Sequence, residues 1–392
     1  MGNRQQPITC QPLWPAADKK NKIVVVSDLH FAVQSLFSKN VRNRPVFIEF
    51  LRRLQQTADV KELVIAGDFL DEWVLPLSYP PIKAMPAFFR RNLAAISDVI
   101  QELKHVMEAG IKLVYVVGNH DMNLDPAVMA EVLPGIVQPR DAAGLGRYTT
   151  GERNEILIEH GHRYDPYSAP DSVSNSQLFQ GCDFMYPPGY FYSRMHTTWV
   201  LEQRPFRENF VPVVKEIPPT AGADLTGAYL YAREMEVLFR QIPVNEDFTD
   251  KVFAFKRTGQ VQAYSLADLY PLEQDNGTLS APVLFRDFQR TWPARQKIND
   301  VWLPCPFTEA GAQAITAAYY RLCAERQYLD RGLYDIVVFG HTHEPDLSRK
   351  DDTYYINTGA WIDAAPGSPD KGKTYAVIET GRRSWAELHT YE

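Results

Sequence analysis

Residues 334–345 read YDIVVFGHTHEP. Four apolar residues, Ile336 to Phe339, stop at Gly340, and His341 and His343 follow with one Thr between them. A short apolar run closed by Gly has the pattern of a buried β-strand. The chain has 392 residues and nine histidines, so two at one strand end call for a reason.

Runs of the same kind occur at 22–28 (KIVVVSD), 62–68 (ELVIAGD), 112–121 (KLVYVVGNHD), 155–162 (EILIEHGH) and 353–359 (TYYINTG). TYAVIET (374–380) and SWAELHTY (384–391), split by Gly381-Arg382-Arg383, predict a terminal hairpin. Helical periodicity lies between the early runs. Residues 44–57 put Phe47, Phe50, Leu51 and Leu54 on one stripe behind Pro45. Residues 97–110 offer Ser97 as N-cap, Val99, Leu103, Val106 and Met107 as the buried stripe, and Gly110 as a stop. Strand alternating with helix predicts an α/β fold with parallel strands. Runs such as IVVV lack alternation, so both faces of the sheet are covered.

The pattern breaks after His162. Residues 163–333 are rich in Pro and aromatic residues, with helices expected at 226–241 and at 308–329, the second capped by Thr308. The expected organisation is an N-terminal extension (1–21), a core in two parts (22–162 and 334–392) and an insertion (163–333).

Composition is that of a globular protein, with 45% hydrophobic and 23% charged residues. A net charge of −7 provides no general basic face, so nucleic acid is not an expected partner. Cys10, Cys182, Cys305 and Cys323 have no paired spacing and read as reduced thiols of a cytoplasmic protein. The first 22 residues hold no apolar export segment, and no window reaches the ~18 apolar residues of a spanning helix. Oligomeric state is not legible.

The ends of the runs carry the chemistry. They read Asp28-Leu29-His30, Gly67-Asp68, Gly118-Asn119-His120-Asp121, His160-Gly161-His162 and Gly340-His341-Thr342-His343. Six of the nine histidines are there: 30, 120, 160, 162, 341 and 343. In an open α/β sheet ligands bind beyond the carboxyl ends of the strands, so these residues are expected to converge. Imidazoles, carboxylates and one amide suit Zn, Mn or Fe rather than a thiolate site. Taken singly, each piece has a plainer reading: a hydrogen-bonded His pair, a helix-capping Asp28, or a Gly-Asn turn. Their joint occurrence in order points to metal.

The ordered blocks D-x-H, G-D-x-x-D (Gly67 to Asp71), G-N-H-D, the His of EHGH and G-H-x-H resemble the calcineurin-like metallophosphoesterases, over residues 22–163 and 334–392. YINTGAW (355–361) is similar to the Asn-x-Gly-x-Trp stretch that often follows the last block in that family. The resemblance implies a two-sheet α/β sandwich flanked by helices, here with a large, mainly helical or irregular insertion. It implies two divalent ions (Mn, Fe or Zn), one held by Asp28, His30 and His343, the other by Asn119, His160 and His341, with Asp68 bridging. It makes His120 the group that stabilises the transition state and protonates the leaving oxygen, with Asp121 raising its basicity. Asp71, Asp121 and His162 would orient ligand rings, and Arg163 would either clamp phosphate or form a surface salt bridge.

The implied reaction is in-line hydrolysis of a mono-, di- or pyrophosphoester by metal-bound hydroxide, in a site that keeps roughly one positive charge. The expected substrate is a phosphorylated small molecule or lipid, chosen by residues 163–333 and by the loop 71–89. The aromatic segment 184–201 is either a lid over the substrate or core for the insertion. GDFLDEW also resembles the branch that cleaves UDP-diacylglucosamine, although that branch usually has Arg where His120 stands and a shorter insertion. A nuclease, like the DNA-repair branch, and a non-catalytic metal-binding scaffold, like the retromer subunit, are the alternatives of other classes.

Overall fold

Alternate residues of each central strand are buried on opposite faces, which requires a layer on both sides of every sheet. The structure is a computed structural model. It describes residues 11–392 apart from 16, 18, 35, 177–185, 203–252, 258–259, 266–267, 269–283, 286–287, 315 and 365–371. The helix expected at 226–241 lies outside the described residues.

The first sheet has the order β14-β13-β1-β3-β5. Its parallel centre is β1 (Lys22–Val26), β3 (Val60–Ala66) and β5 (Lys112–Val116), and β13 (Lys373–Glu379) and β14 (Trp385–Tyr391) add an antiparallel edge. The last pair is the expected hairpin, with Glu379 opposite Trp385. A second sheet, β11-β12-β10-β7-β6, has β7 (Ile156–Glu159), β10 (Ile336–Phe339) and β12 (Thr353–Thr358) parallel. Its antiparallel edges are β6 (Arg147–Thr150) and β11 (Pro345–Lys350). Two short parallel strands, β2 (Phe31–Ala32) and β4 (Leu70–Asp71), lie beyond the first sheet. A hairpin of β8 (Phe253–Arg257) and β9 (Gln260–Tyr264) falls within 163–333.

The two sheets meet through Ile23, Val25, Val64 and Val114 on one side and Ile158, Ile336, Val338 and Ile356 on the other, all almost fully buried. Val24, Val26, Leu63 and Ile65 turn the opposite way, toward α1 (Arg44–Gln55), α2 (Met85–Ala95) and α3 (Ser97–Glu108). α4 (Pro126–Val132) completes that layer. α1 buries Phe47, Phe50, Leu51 and Leu54, the stripe read from the sequence. Ser97 is not a cap, because α2 runs into α3 through Ile96 alone and Ser97 already lies inside the helix.

The outer face of the second sheet, with Leu157, Val337, Phe339 and Tyr355, is covered by the described residues of 163–333. Tyr164, Tyr190, Phe191, Tyr319, Tyr320 and Tyr328 fill that layer. Those of the aromatic segment 184–201, with Met195, are therefore core. Its helix, α5 (Pro188–Glu202), is tied to the loop after β4: Arg194 donates to the carbonyls of Leu75 (2.8 Å) and Pro76 (2.9 Å).

The helix expected at 308–329 is divided into Phe307–Gln313, Ala317–Ala324 and a π-turn at Glu325–Leu329. Thr316, rather than Thr308, caps the middle piece. Residues 71–89 are not wholly loop, since α2 begins at Met85. Among the described residues no helix is long and apolar enough to cross a membrane, and Cys305 and Cys323 are free thiols.

Candidate metal centre

The loops after β1 and β3 run side by side. Asp28 N donates to Gly67 O (3.1 Å), and the amides of Leu29 and His30 donate to Asp68 O (2.9 and 2.8 Å). Asp28 and His30 are thereby fixed beside Asp68 and Asp71. The loop after β5 joins them, with His120 N donating to Asp68 Oδ1 at 2.8 Å. Crowding explains two glycines: a Cβ at Gly118 would overlap the Asp68 carboxylate, and one at Gly340 would overlap that of Asp28.

Of three groups of donor atoms among the described residues, one, His30, Asp71 and His120, is closed by its own hydrogen bonds to Asp71 Oδ2, and two are left for a cation. In one, His343 Nε2 is 3.2 Å and His30 Nε2 3.8 Å from Asp28 Oδ1, and the two Nε2 atoms are 3.0 Å apart. In the other, Asp68, His160 and His341 offer ligand atoms within 4.8 Å of one another. His160 Nε2 is 3.2 Å from Asp68 Oδ2 and 3.0 Å from Asn119 Oδ1. Asp68 Oδ2 is also 3.7 Å from His30 Nε2, so this carboxylate stands between the groups. All seven expected ligands therefore converge at the carboxyl ends of β1, β3, β5, β7 and β10.

The chemistry of the donors fits a cation. His160 Nδ1 donates to Ala66 O (2.8 Å) and His30 Nδ1 to Asp71 Oδ2 (2.8 Å). Each ring thus turns its Nε2 lone pair toward other acceptors, which repel it unless positive charge lies between them. Asp28 Oδ1 is buried and has no hydrogen-bond partner. Burial pushes the His160 and His30 imidazoles down, but Asp68 and Asp28 around His160, and Asp28 and Asp71 around His30, hold both up at about 9. Burial likewise pushes the Asp28 and Asp68 carboxyls up, yet the imidazoles, His160 first, hold both well below the usual carboxylate range. A site that recruits this much positive charge is matched by divalent ions.

The backbone is strained where the ligands sit. Asp28 (φ 54°), His30 (51°), Asp68 (51°), His341 (74°) and His343 (57°) are all left-handed. That conformation costs roughly 1–2 kcal/mol per non-glycine residue and persists where surrounding contacts over-determine it, most often at functional sites. YINTGAW supplies some of those contacts. Asn357 Nδ2 donates to Gly340 O (2.6 Å), Ser27 Oγ to Gly359 O (3.1 Å) and Trp361 N to Asp28 O (3.2 Å).

Around the ligands the structure corrects three expectations. The carboxylate bonded to His120 belongs to Asp71, whose Oδ2 accepts from His120 Nδ1 at 2.9 Å. Asp121 instead accepts from the backbone amides of Phe69 (2.8 Å), Leu70 (3.2 Å) and Gly118 (2.7 Å), so it holds two loops together. Arg163 is neither a phosphate clamp nor a surface pair. It is 2% exposed and reaches Glu159 Oε2 (3.0 Å), Asp141 Oδ2 (2.7 Å) and Asn299 O (2.9 Å), in a buried network that includes Arg147. His162 is buried beside His160 (ring centroids 5.4 Å) with neither ring nitrogen hydrogen-bonded, so it packs against a ligand without orienting it by a bond.

Glu72 and Trp73 stand inside GDFLDEW but are given no role of their own by the sequence, and Asp165 is not singled out by it. Trp73 lies over His120 at 4.4 Å between centroids. Glu72 accepts from Asn123 Nδ2 (2.7 Å) and Tyr186 Oη (3.1 Å), and Asp165 Oδ2 lies 3.1 Å from His341 Nε2. Only their nearness to the blocks could have flagged them.

Residues 21–188 match the family model described as calcineurin-like phosphoesterase, and residues 313–383 that of the calcineurin-like phosphoesterase superfamily domain. A phosphodiesterase of Methanocaldococcus jannaschii is 35% identical over 57 residues, 14% of this chain and 32% of that protein. The chain thus matches about a third of that curated relative's length. Solved structures similar to it include an archaeal phosphodiesterase (12% identity, TM-score 0.31, covering 94% of this chain and 99% of that one). Another is a dimetal phosphatase from Danio rerio (11%, 0.38, 96% and 100%). The matches to both family models fall on the segments that carry the ligand blocks, and the chain belongs to the calcineurin-like phosphoesterase superfamily.

Proposed function

We propose that the protein hydrolyses a phosphoester of a small phosphorylated molecule or lipid with two divalent ions, Mn, Fe or Zn, at this centre. One observation carries the reading: two carboxylate–imidazole groups meet where the strand ends of the two sheets come together, with Asp68 Oδ2 3.2 Å from His160 of one group and 3.7 Å from His30 of the other. Asp28, His30 and His343 would hold one ion, Asn119, His160 and His341 the other, and Asp68 both. When bound, such a pair lowers the pKa of water and neutralises phosphoryl oxygens.

The chain's own groups do the rest. Nδ1 of His120 is held by Asp71, so Nε2 is the nitrogen left for substrate. Burial pushes the His120 imidazole below its usual range despite Asp71 and Asp68. Only the imidazolium form carries a proton on Nε2 to give to the leaving oxygen as it gains negative charge, and burial makes that form the harder one to populate. Trp73 on its face excludes water and limits its rotation. Asp28 and Asp68, held ionised, would offset part of the charge of two divalent ions and leave a positive centre able to draw an anionic ester into an acidic protein. Asp165 and Tyr320, from 163–333, lie beside His341 at the centre, and we assign substrate choice to that segment. Free Cys305 and Cys323 support a cytoplasmic location.

The test is a panel of mono-, di- and pyrophosphoesters offered to protein stripped by chelation and reloaded with Mn²⁺. Turnover of one class, lost on chelation and restored by metal, is expected. Full turnover by metal-free protein contradicts the proposal. Cleavage of UDP-diacylglucosamine or of DNA in place of simple esters would favour the alternative branches, and no turnover at all a scaffold.

A further inference from the structure

His341 enters the centre differently from the other imidazoles. Its Nε2 lies 3.1 Å from Asp165 Oδ2. A carboxylate at that distance can only accept, so the proton sits on Nε2 and the lone pair on Nδ1. For His30 and His160 the bonded nitrogen is Nδ1, and Nε2 is the atom near the Asp28 and Asp68 carboxylates that would be offered to an ion.

We propose that Asp165, from the first turn of residues 163–333, is a positioning residue that fixes His341 in the Nε2–H tautomer. Nδ1 is then the atom offered to the second ion, and this turn sets the metal affinity of that half of the centre. The affinity half of the inference rests on the dinuclear reading above.

The surroundings are built for the task. Asp165 is 6% exposed, and its Oδ1 is engaged by Tyr167 N at 2.8 Å, which leaves Oδ2 for His341. Its carbonyl accepts from Ser168 N (3.2 Å) and Ala169 N (2.8 Å). Buried Arg295, from the helix Phe288–Ile298, donates to the carbonyls of Pro166 and Ala169, both at 2.8 Å, and clamps the turn. His341 is held on two other sides, by its own N–H to Asp28 Oδ2 (3.0 Å) and by the Tyr320 ring at 5.3 Å. The Tyr320 hydroxyl donates to Ala314 O (2.8 Å) and does not compete for Asp165. A carboxylate–histidine pair of this kind fixes ring orientation and raises ligand basicity, and its loss typically lowers metal affinity about 10–100-fold.

Two measurements test it. In metal-free, ¹⁵N-histidine-labelled protein, long-range ¹H–¹⁵N spectra should show His341 protonated at Nε2, with Asp165→Asn retaining that form and Asp165→Ala losing it. An Nδ1–H tautomer in the wild type, which needs no variant to observe, overturns the proposal, as does a spectrum unchanged in Asp165→Ala. In Mn²⁺ titration calorimetry, Asp165→Ala should weaken one of two sites about 10–100-fold and spare the other, while Asp165→Asn, which keeps an acceptor, loses less. Equal uptake by wild type and Asp165→Ala overturns the affinity half. A wild type that takes up no Mn²⁺ overturns the dinuclear reading and that half with it, while the tautomer result stands apart.

Discussion

A single oxygen, Oδ2 of Asp71, accepts from two imidazoles at once: His30 Nδ1 at 2.8 Å and His120 Nδ1 at 2.9 Å. One carboxylate therefore orients a proposed metal ligand and the proposed acid together. Its other oxygen is occupied by the amides of Trp73 and Val74, both at 2.8 Å. In Asp71→Asn one end of the side chain must present an NH₂ to donors. Turnover is expected to fall about 10–100-fold with a parallel loss of bound metal. Steady-state kinetics together with metal analysis check this, and undiminished turnover would count against it.

His120→Ala should separate leaving groups. An alkyl phosphoester, whose alkoxide needs a proton, is expected to lose about 10²–10⁴-fold in turnover. A nitrophenyl ester, which departs unaided, should lose far less. Equal losses for both esters would remove His120 from the acid role.

Arg163 is predicted to matter for stability rather than for substrate. Arg163→Met leaves Glu159 and Asp141 buried with weaker partners, and removal of one member of a buried ion pair costs about 3–5 kcal/mol. Urea unfolding should show that loss, with KM close to wild type. A raised KM at unchanged stability would restore the phosphate-clamp idea.

Glu72 gives the protein a pH-dependent weakness. Burial pushes its carboxyl up to about 8, despite bonds from Asn123 and Tyr186. Below its ordinary value of 4.5 the group is neutral in both states and costs nothing. As pH rises from there to about 8 the unfolded chain ionises freely while the folded one is held protonated, so stability declines across that window. Glu72→Gln keeps the shape and removes the titration. Its melting temperature should exceed that of wild type above about pH 8 and converge with it in acid. A constant offset at every pH would contradict this.

The ligands were legible because α/β folds bind ligands beyond the carboxyl ends of their strands, although here those ends come from two facing sheets rather than from one edge. The hairpin at 374–391 and the stripe of α1 were legible for equally local reasons. What failed depended on neighbours in space. Asp121 adjoins His120 in sequence, but the fold delivers Asp71 to that ring from 49 residues away. Arg163 follows the ligand loop, yet the 3-10 turn His162–Tyr164 buries its side chain among Glu159 and Asp141. α2 was hidden in a proline-rich stretch. Pro86 falls in its first turn, where the missing N–H is not needed, so a helix begins inside the stretch 71–89 expected to be loop.

The central claim is that Asp68 joins two cation sites. Anomalous diffraction from crystals grown with Mn²⁺ tests it most directly. Two peaks about 3.5–4 Å apart are expected, one among Asp28, His30 and His343, the other beside Asn119, His160 and His341, with Asp68 touching both. Absence of a peak at this edge, or peaks that Asp68 does not touch, would contradict the account.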